Sequence, residues 1–181
     1  MRAFHLVAAA LIATAPLAAV PAMAQSVGET TGVNSVLGVS PSTQDFVTQA
    51  ATSDMFEIRS SELALERGDA PTKAFAQQMI TAHQKTTAEL KGLITSAKLQ
   101  VTPPAALDST HQGMVDDLAK LQGKEFVEAY LDDQVEAHED AVSLFERYAN
   151  GGDNAALKEW AGKTLPDLKH HLDMAKKLAG D

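Results

Sequence analysis

The stretch LDDQVEAHEDAVSLF, residues 131–145, decides the fold because its side chains recur at the spacing of an α-helix. One helical face collects the positions that point inward at three- and four-residue intervals, namely Leu131, Gln134 or Val135, Val142 and Phe145. His138 falls on the same face, so the pattern predicts an imidazole inside a packed core. A histidine there is a metal ligand, a catalyst or a core residue that needs a hydrogen-bond partner.

The same periodicity occurs in four long segments. They cover, in order, residues 43–67, 71–100, 124–150 and 153–178. Ser42 followed by Asp45 resembles a capping box, Asp153 is the predicted N-cap of the last segment, and Pro166 is expected to kink that segment. No segment alternates polar and apolar residues as a strand does.

These segments predict an all-α fold, a ferritin-like four-helix bundle over residues 42–181. A short extra helix, residues 109–121, is expected between the second and third long helices, after the double proline at residues 103–104. The whole of this region is expected to fold as one domain with a single core.

The N-terminal residues predict export. Met1 and Arg2 precede a short apolar run, and an Ala-x-Ala site ends at Ala24. These are the features of a secretory signal peptide, so residues 1–24 are expected to be removed, which places the protein in the periplasm or cell envelope without a transmembrane anchor. An uncleaved anchor is the alternative. Residues 25–41, rich in Gly, Ser, Thr and Val, predict a flexible leader, with a short edge strand as the alternative.

The composition excludes several classes of protein. The formal net charge is −9 at pH 7, and an acidic surface repels phosphate backbones, so nucleic acid is not expected as a partner. The chain has no cysteine, which excludes disulfides, thiolate metal sites and cysteine nucleophiles. The P-loop, the dinucleotide glycine motif, G-x-S-x-G and H-E-x-x-H are also missing. We therefore expect no catalytic residue, and a non-enzymatic protein is favoured.

Each long helix carries one ionisable side chain on its inward face. These residues are Glu57, His83, His138 and His171. Each lies within about two turns of mid-helix, and a mid-helix residue stays at mid-height whichever way its helix runs. The four side chains are therefore expected to meet near the centre of the bundle. They form either a buried hydrogen-bonded network or the ligand set of a divalent transition metal.

Three stretches resemble a known family. They are FEIRSSELALERGDAPTKAFAQQMITAHQKTTAELKGLI, EFVEAYLDDQVEAHEDAVSLFE and LPDLKHHLDMAKKL. Together they are similar to the exported bacterial ferritin-like family named domain of unknown function 4142, over residues 43–178. The family's Glu in the first helix and single His in each later helix coincide with the four residues above. The resemblance implies a ferritin-like bundle in the periplasm or cell envelope and implies no catalytic residue.

The chain departs from ferritin-like di-iron proteins. Those proteins place Glu-x-x-His on two helices. Here the residues three positions before the histidines are aliphatic: Ile80, Val135 and Leu168. A ferroxidase-type di-iron centre is therefore not expected. Met79 and Met174, close to two of the histidines, would suit copper, although methionine on a helical face is more often core.

Two functional hypotheses follow. The favoured one is an exported helical-bundle protein, an envelope or stress-related interaction module whose central Glu/His cluster is structural. The alternative is a metal-binding or redox protein that uses the same cluster as ligands. A protein partner or a homo-oligomer is compatible with either hypothesis, and the sequence identifies neither the partner nor the metal.

Overall fold

The computed structural model describes residues 26–30 and 33–180, and the predicted signal peptide lies outside them. The described residues form seven helices and no strand, which confirms the all-α prediction. In chain order the helices are α1 (Val27–Thr30), α2 (Val33–Val36), α3 (Thr43–Arg67), α4 (Ala70–Ser96), α5 (Ser109–Leu118), α6 (Gly123–Gly151) and α7 (Ala155–Ala179). Among them, none combines the length and the apolar composition that a membrane span requires.

The four long helices pack in a closed ring. Helix α3 contacts α4, α4 contacts α7, α7 contacts α6, and α6 contacts α3. Connections of two or three residues make α3–α4 and α6–α7 antiparallel hairpins. The long connection from α4 to α6 contains α5, which packs on α3 and α6. The result is a helical bundle with the extra short helix where the sequence predicted it.

Two hydrophobic clusters occupy opposite ends of the bundle. The first joins the start of α3, the end of α4, the end of α6 and the start of α7 through Phe46, Leu90, Tyr148 and Leu157. The second joins the opposite helix ends through Ala64, Phe75, Tyr130 and Ala175. Helices α3 and α7 therefore run in one direction and α4 and α6 in the other. The middle of each long helix lies between the two clusters.

The helix ends follow from local hydrogen bonds. The Ser42 hydroxyl accepts from the backbone N–H of Asp45 at 3.1 Å, as the capping box predicted, and it donates to the Asp45 carboxylate at 2.9 Å. The prediction that Asp153 caps α7 is wrong: Asn154 accepts from the N–H of Leu157 at 3.1 Å. Asp153 instead accepts from the Tyr148 hydroxyl at 3.1 Å. Helix α7 continues through Pro166.

The buried face of α6 is centred about one residue earlier than the predicted valine stripe. The predicted valines, Val135 and Val142, are only partly buried against the two clusters. The buried side chains of α6 are Phe126, Tyr130, Leu131, Gln134, His138, Ala141, Leu144, Phe145 and Tyr148. Because α6 packs against α3 on one side and α7 on the other, its buried face is broad, and the larger aromatic residues take the centre.

The predicted leader contains two one-turn helices, α1 and α2, rather than irregular chain alone. A bidentate salt bridge links α1 to α6, since the Arg147 guanidinium donates to both carboxylate oxygens of Glu29 at 3.1 and 3.2 Å. The same guanidinium donates to the Val39 carbonyl at 2.7 Å. Both side chains of this pair are at least nine-tenths buried, so the described part of residues 26–39 lies against the bundle.

Candidate metal centre

A layer of buried polar side chains crosses the bundle at mid-height, between the two hydrophobic clusters. Helix α3 contributes Asp54, Glu57, Ser60 and Ser61, helix α4 contributes His83, and helix α6 contributes Gln134 and His138. His171 enters from α7 and is only partly buried. The sequence-predicted residues therefore do share one level.

Three histidines from three helices form the centre of this layer. We call His83, His138 and His171 the imidazole cluster. Their ring centroids are 5.6–5.8 Å apart in every pairing. One ring nitrogen of each lies within 4.8 Å of the others, and this is the group of potential ligand side chains that the described residues bring together. The cluster thus satisfies the first condition for a shared metal ion.

The ring of His83 is oriented by a carboxylate that the sequence analysis did not single out. Nδ1 of His83 lies 2.9 Å from Oδ1 of Asp54. Asp54 also accepts hydrogen bonds from the hydroxyls of Thr86 at 2.7 Å and Thr87 at 2.9 Å. An acceptor at Nδ1 places the proton there and leaves the lone pair on Nε2, as in the carboxylate–histidine pairs behind many metal sites.

The ring of His138 is oriented by its own helix. Nδ1 of His138 donates to the Gln134 carbonyl at 2.8 Å, one turn earlier in α6. That bond again leaves the lone pair on Nε2. In the described part of the chain, no hydrogen-bond partner reaches the buried Nε2 of His83, Nε2 of His138 or Nδ1 of His171. Each of the three rings therefore has one buried nitrogen without a hydrogen-bond partner among the described residues.

Glu57 lies beside the cluster rather than within it. Its Oε1 is 3.6 Å from Nδ1 of His138, the nitrogen that already bonds to Gln134. The side chain is 1% exposed, and neither carboxylate oxygen has a hydrogen-bond partner among the described residues. The cluster of ligand atoms within 4.8 Å does not include Glu57. Its role as a fourth ligand stays a prediction.

Burial sets the protonation of these groups. Burial lowers the pKa of His138 to about 3, and a positive charge on His83 acts in the same direction. Burial and the other two imidazoles likewise lower the pKa of His171 to about 3. Burial also acts to lower the pKa of His83, but its hydrogen bond to Asp54 and the nearby Glu57 raise it overall. Burial raises the pKa of Glu57 to about 7. The imidazoles of His138 and His171 are therefore neutral across the physiological range.

The family model described as domain of unknown function (DUF4142) matches residues 28–178. The chain belongs to this family. No curated protein and no solved structure matches the sequence in comparable searches. The matched range of this DUF4142 chain starts in α1, ends in α7 and contains the whole polar layer. It begins well before residue 42, where the sequence analysis placed the start of the domain.

A cavity leads from the surface of the DUF4142 bundle to the imidazole cluster. It has a volume of about 330 Å³ and lies between α4 and α7, with His83 and His171 among its lining residues. Trp160 also lines it, and its indole N–H donates to Glu89 at 2.9 Å. A second cavity, of about 470 Å³, lies on the side of α3, α5 and α6 and is lined by none of the three histidines.

Several other candidates lie outside the centre. Met79 and Met174 belong to the second hydrophobic cluster or pack against it, as methionines on a helical face usually do. His170 is exposed, and its ring centroid is 6.5 Å from that of His171. His111 is partly exposed and lies 2.9 Å from Asp108. The imidazole cluster is therefore distinct from the other described histidines.

Proposed function

We propose that this protein binds one divalent transition-metal ion, with His83, His138 and His171 as ligands. Two observations carry the proposal: the three histidines bring one ring nitrogen each within 4.8 Å of the others, and each ring has a buried nitrogen without a hydrogen-bond partner in the described residues. Neutral imidazole is a good ligand for zinc, copper, nickel and cobalt. We assign metal binding to the site and no catalytic reaction.

A purely structural network, the interpretation that the sequence favoured, accounts for less of the geometry. Such a network pairs its buried polar atoms, as Ser61 and Tyr130 do at 2.9 Å. An unpaired buried polar atom costs about 1–3 kcal/mol. One ion bound by all three imidazoles would give each of the three nitrogens a partner and so remove that cost. A tetrahedral site sets ligand nitrogens about 3.4 Å apart, so the rings would close slightly on the ion.

The export of the protein and its ferritin-like fold are also part of the proposal. We infer an exported bacterial protein of the periplasm or cell envelope, because the N-terminal sequence has the order of a signal peptide. We further infer a ferritin-like bundle, which the two helix hairpins and the single long connection between α4 and α6 support. The site would differ from di-iron ferritin-like centres, because Ile80, Val135 and Leu168 stand where Glu-x-x-His would need carboxylates.

The test is metal binding to purified protein, measured by equilibrium dialysis with Zn²⁺, Cu²⁺, Ni²⁺ or Co²⁺ and elemental analysis. We expect one ion per chain for the wild type. His171→Ala should lose the bound ion, because it removes one of three ligands. His170→Ala is the matched control, since the adjacent imidazole is exposed and should leave binding unchanged. Equal binding by the two variants, or no stoichiometric binding by the wild type, contradicts the proposal.

A further inference from the structure

The cavity between α4 and α7 gives the imidazole cluster a route to solvent. Within the cluster, His83 is 2% exposed and His138 is 1% exposed, whereas His171 is only partly buried. His83 and His171 both line this cavity. The cavity of about 470 Å³ beside α3, α5 and α6 is lined by neither of them. Solvent therefore approaches the cluster from the side of α4 and α7.

The protein supplies three ligand atoms to the centre, and they come from α4, α6 and α7. The fourth long helix, α3, approaches the cluster with Glu57, whose Oε1 lies 3.6 Å from Nδ1 of His138, but Glu57 is not among the residues whose ligand atoms lie within 4.8 Å of one another. A divalent ion held by three protein ligands commonly keeps a fourth position for water or another small donor. That position has to lie on a side of the ion where no protein ligand stands.

We propose that this fourth position faces the cavity between α4 and α7 and binds a small donor from solvent, a water molecule that a small monoanion can displace. This inference rests on the proposed metal site. Imidazole ligands carry no negative charge, so three of them leave the double positive charge of the ion uncompensated, which favours an anion as the fourth ligand. A volume of about 330 Å³ holds such a ligand with several waters, at about 30 Å³ per water.

The charges around the cavity do not bar an anion. Its lining contains two lysines, Lys85 and Lys163, and two acidic residues, Glu89 and Asp167. The two positive and two negative charges balance, so the cavity lining has no net negative charge that would repel an anion. Trp160 forms part of the wall and is the single tryptophan of the chain. Its fluorescence therefore reports on an ion or ligand that enters this cavity.

The experiment titrates sodium azide into full-length protein loaded with Cu²⁺ or Co²⁺ and records the visible spectrum. The expected result is a saturable new absorption band, one azide per metal, with a parallel change in Trp160 fluorescence. Metal binding without any response to azide would overturn this inference while leaving the metal site intact. If Glu57→Gln then gained the azide response, Glu57 would be the fourth ligand. Failure to bind the metal at all would remove both proposals.

A pair of matched variants tests the direction of entry. Ala82 lines the cavity between α4 and α7 and precedes His83, whereas Ala137 lines the other cavity and precedes His138. Ala82→Phe should keep the metal and weaken azide binding by about tenfold or more, because the ring fills the route. Ala137→Phe should leave azide binding unchanged. The reverse pattern would place the open position on the α3–α6 side and overturn the inference. If either variant is unfolded, the wild-type titration decides the side of entry through Trp160, which lines the cavity between α4 and α7: azide binding with unchanged Trp160 fluorescence would overturn the inference.

Discussion

At the scale of single residues, the free nitrogen of His83 and that of His138 are each selected by the bond that the other nitrogen of the ring makes. Asp54 accepts from His83, and the Gln134 carbonyl accepts from His138, both at Nδ1. In both rings this leaves the lone pair on Nε2, which is buried and has no hydrogen-bond partner among the described residues. The two orienting groups differ, because one is a side chain that mutation can change and the other is backbone.

Asp54→Asn is therefore the sharpest test of ring orientation. We expect metal affinity to fall by about 10–100-fold, because the carboxylate both holds the ring and strengthens it as a ligand. Thr87→Val is the control, since it removes one hydrogen-bond donor to Asp54 and leaves the bond between Asp54 and His83 in place. Competition against a chromophoric chelator measures both affinities. Wild-type affinity in Asp54→Asn would show that the His83–Asp54 bond has no part in binding.

The protonation of Glu57 makes a separate prediction for the metal-free protein. Its pKa is raised from 4.5 to about 7 in the folded state, so folding favours the protonated carboxyl. The stability that this group contributes is complete below pH 4.5 and is lost as the pH rises through 7. Glu57→Gln cannot titrate, so its stability relative to wild type should rise by on the order of 3 kcal/mol across that window.

Urea unfolding with a chelator present, followed between pH 4.5 and 8, measures that difference. Glu62→Gln is the control on the same helix, because Glu62 is exposed. Its stability should follow the wild type at every pH. A difference between Glu57→Gln and wild type that stays constant with pH would mean that Glu57 is ionised in the folded protein throughout.

The sequence predicted the three histidines but not Asp54, for a physical reason. Asp54 follows Ala50 by four residues and precedes Glu57 by three, so it fits the inward face of α3 as well as the adjacent Ser53 does. Helical spacing cannot separate two neighbours at the edge of a broad face. Asp54 is buried and Ser53 is not because Asp54 contacts His83 on α4. That contact depends on how α3 and α4 pack together, which helical spacing does not determine.

At the scale of helices, boundaries were predictable where a capping side chain or a pair of glycines gives one clear signal. Ser42 and the double glycine at residues 151–152 mark ends that the structure has at or near those positions. The start of α7 was missed by one residue because Asp153 and Asn154 are both good caps. Asp153 is drawn instead to the Tyr148 hydroxyl, which leaves the cap to Asn154.

Asn154→Ala tests this assignment. We expect it to lower the free energy of unfolding by about 1 kcal/mol, because the backbone N–H of Leu157 loses its acceptor. Asn150→Ala, at an exposed position near the end of α6, is the control and should change stability little. Chemical denaturation followed by circular dichroism gives both values. An equal loss in the two variants would mean that the cap contributes nothing to stability.

At the scale of the whole molecule, the level of the polar layer was predictable because mid-helix residues stay at mid-height in any topology. The directions of the helices were not, since they depend on which ends share a hydrophobic cluster. Here Phe46 meets Tyr148 with ring centroids 4.0 Å apart, which brings the start of α3 to the end of α6. The long connection that contains α5 makes this arrangement possible, because it carries the chain from the end of α4 to the start of α6 at the opposite end of the bundle.

The same topology predicts what a bound ion does to stability. The three imidazoles belong to both helix hairpins, with His83 in one and His138 and His171 in the other, so one ion would link the two hairpins across the bundle. An ion at 100 times its dissociation constant should stabilise the fold by about 2.7 kcal/mol, provided that it binds only the folded state. The melting temperature of the wild type and of His170→Ala should rise with metal concentration, and that of His171→Ala should not. Hydrogen exchange should slow in the middle of α4 and α6 together, because the ion joins them. A rise in melting temperature of the same size in His171→Ala would place the stabilising ion elsewhere on the acidic surface.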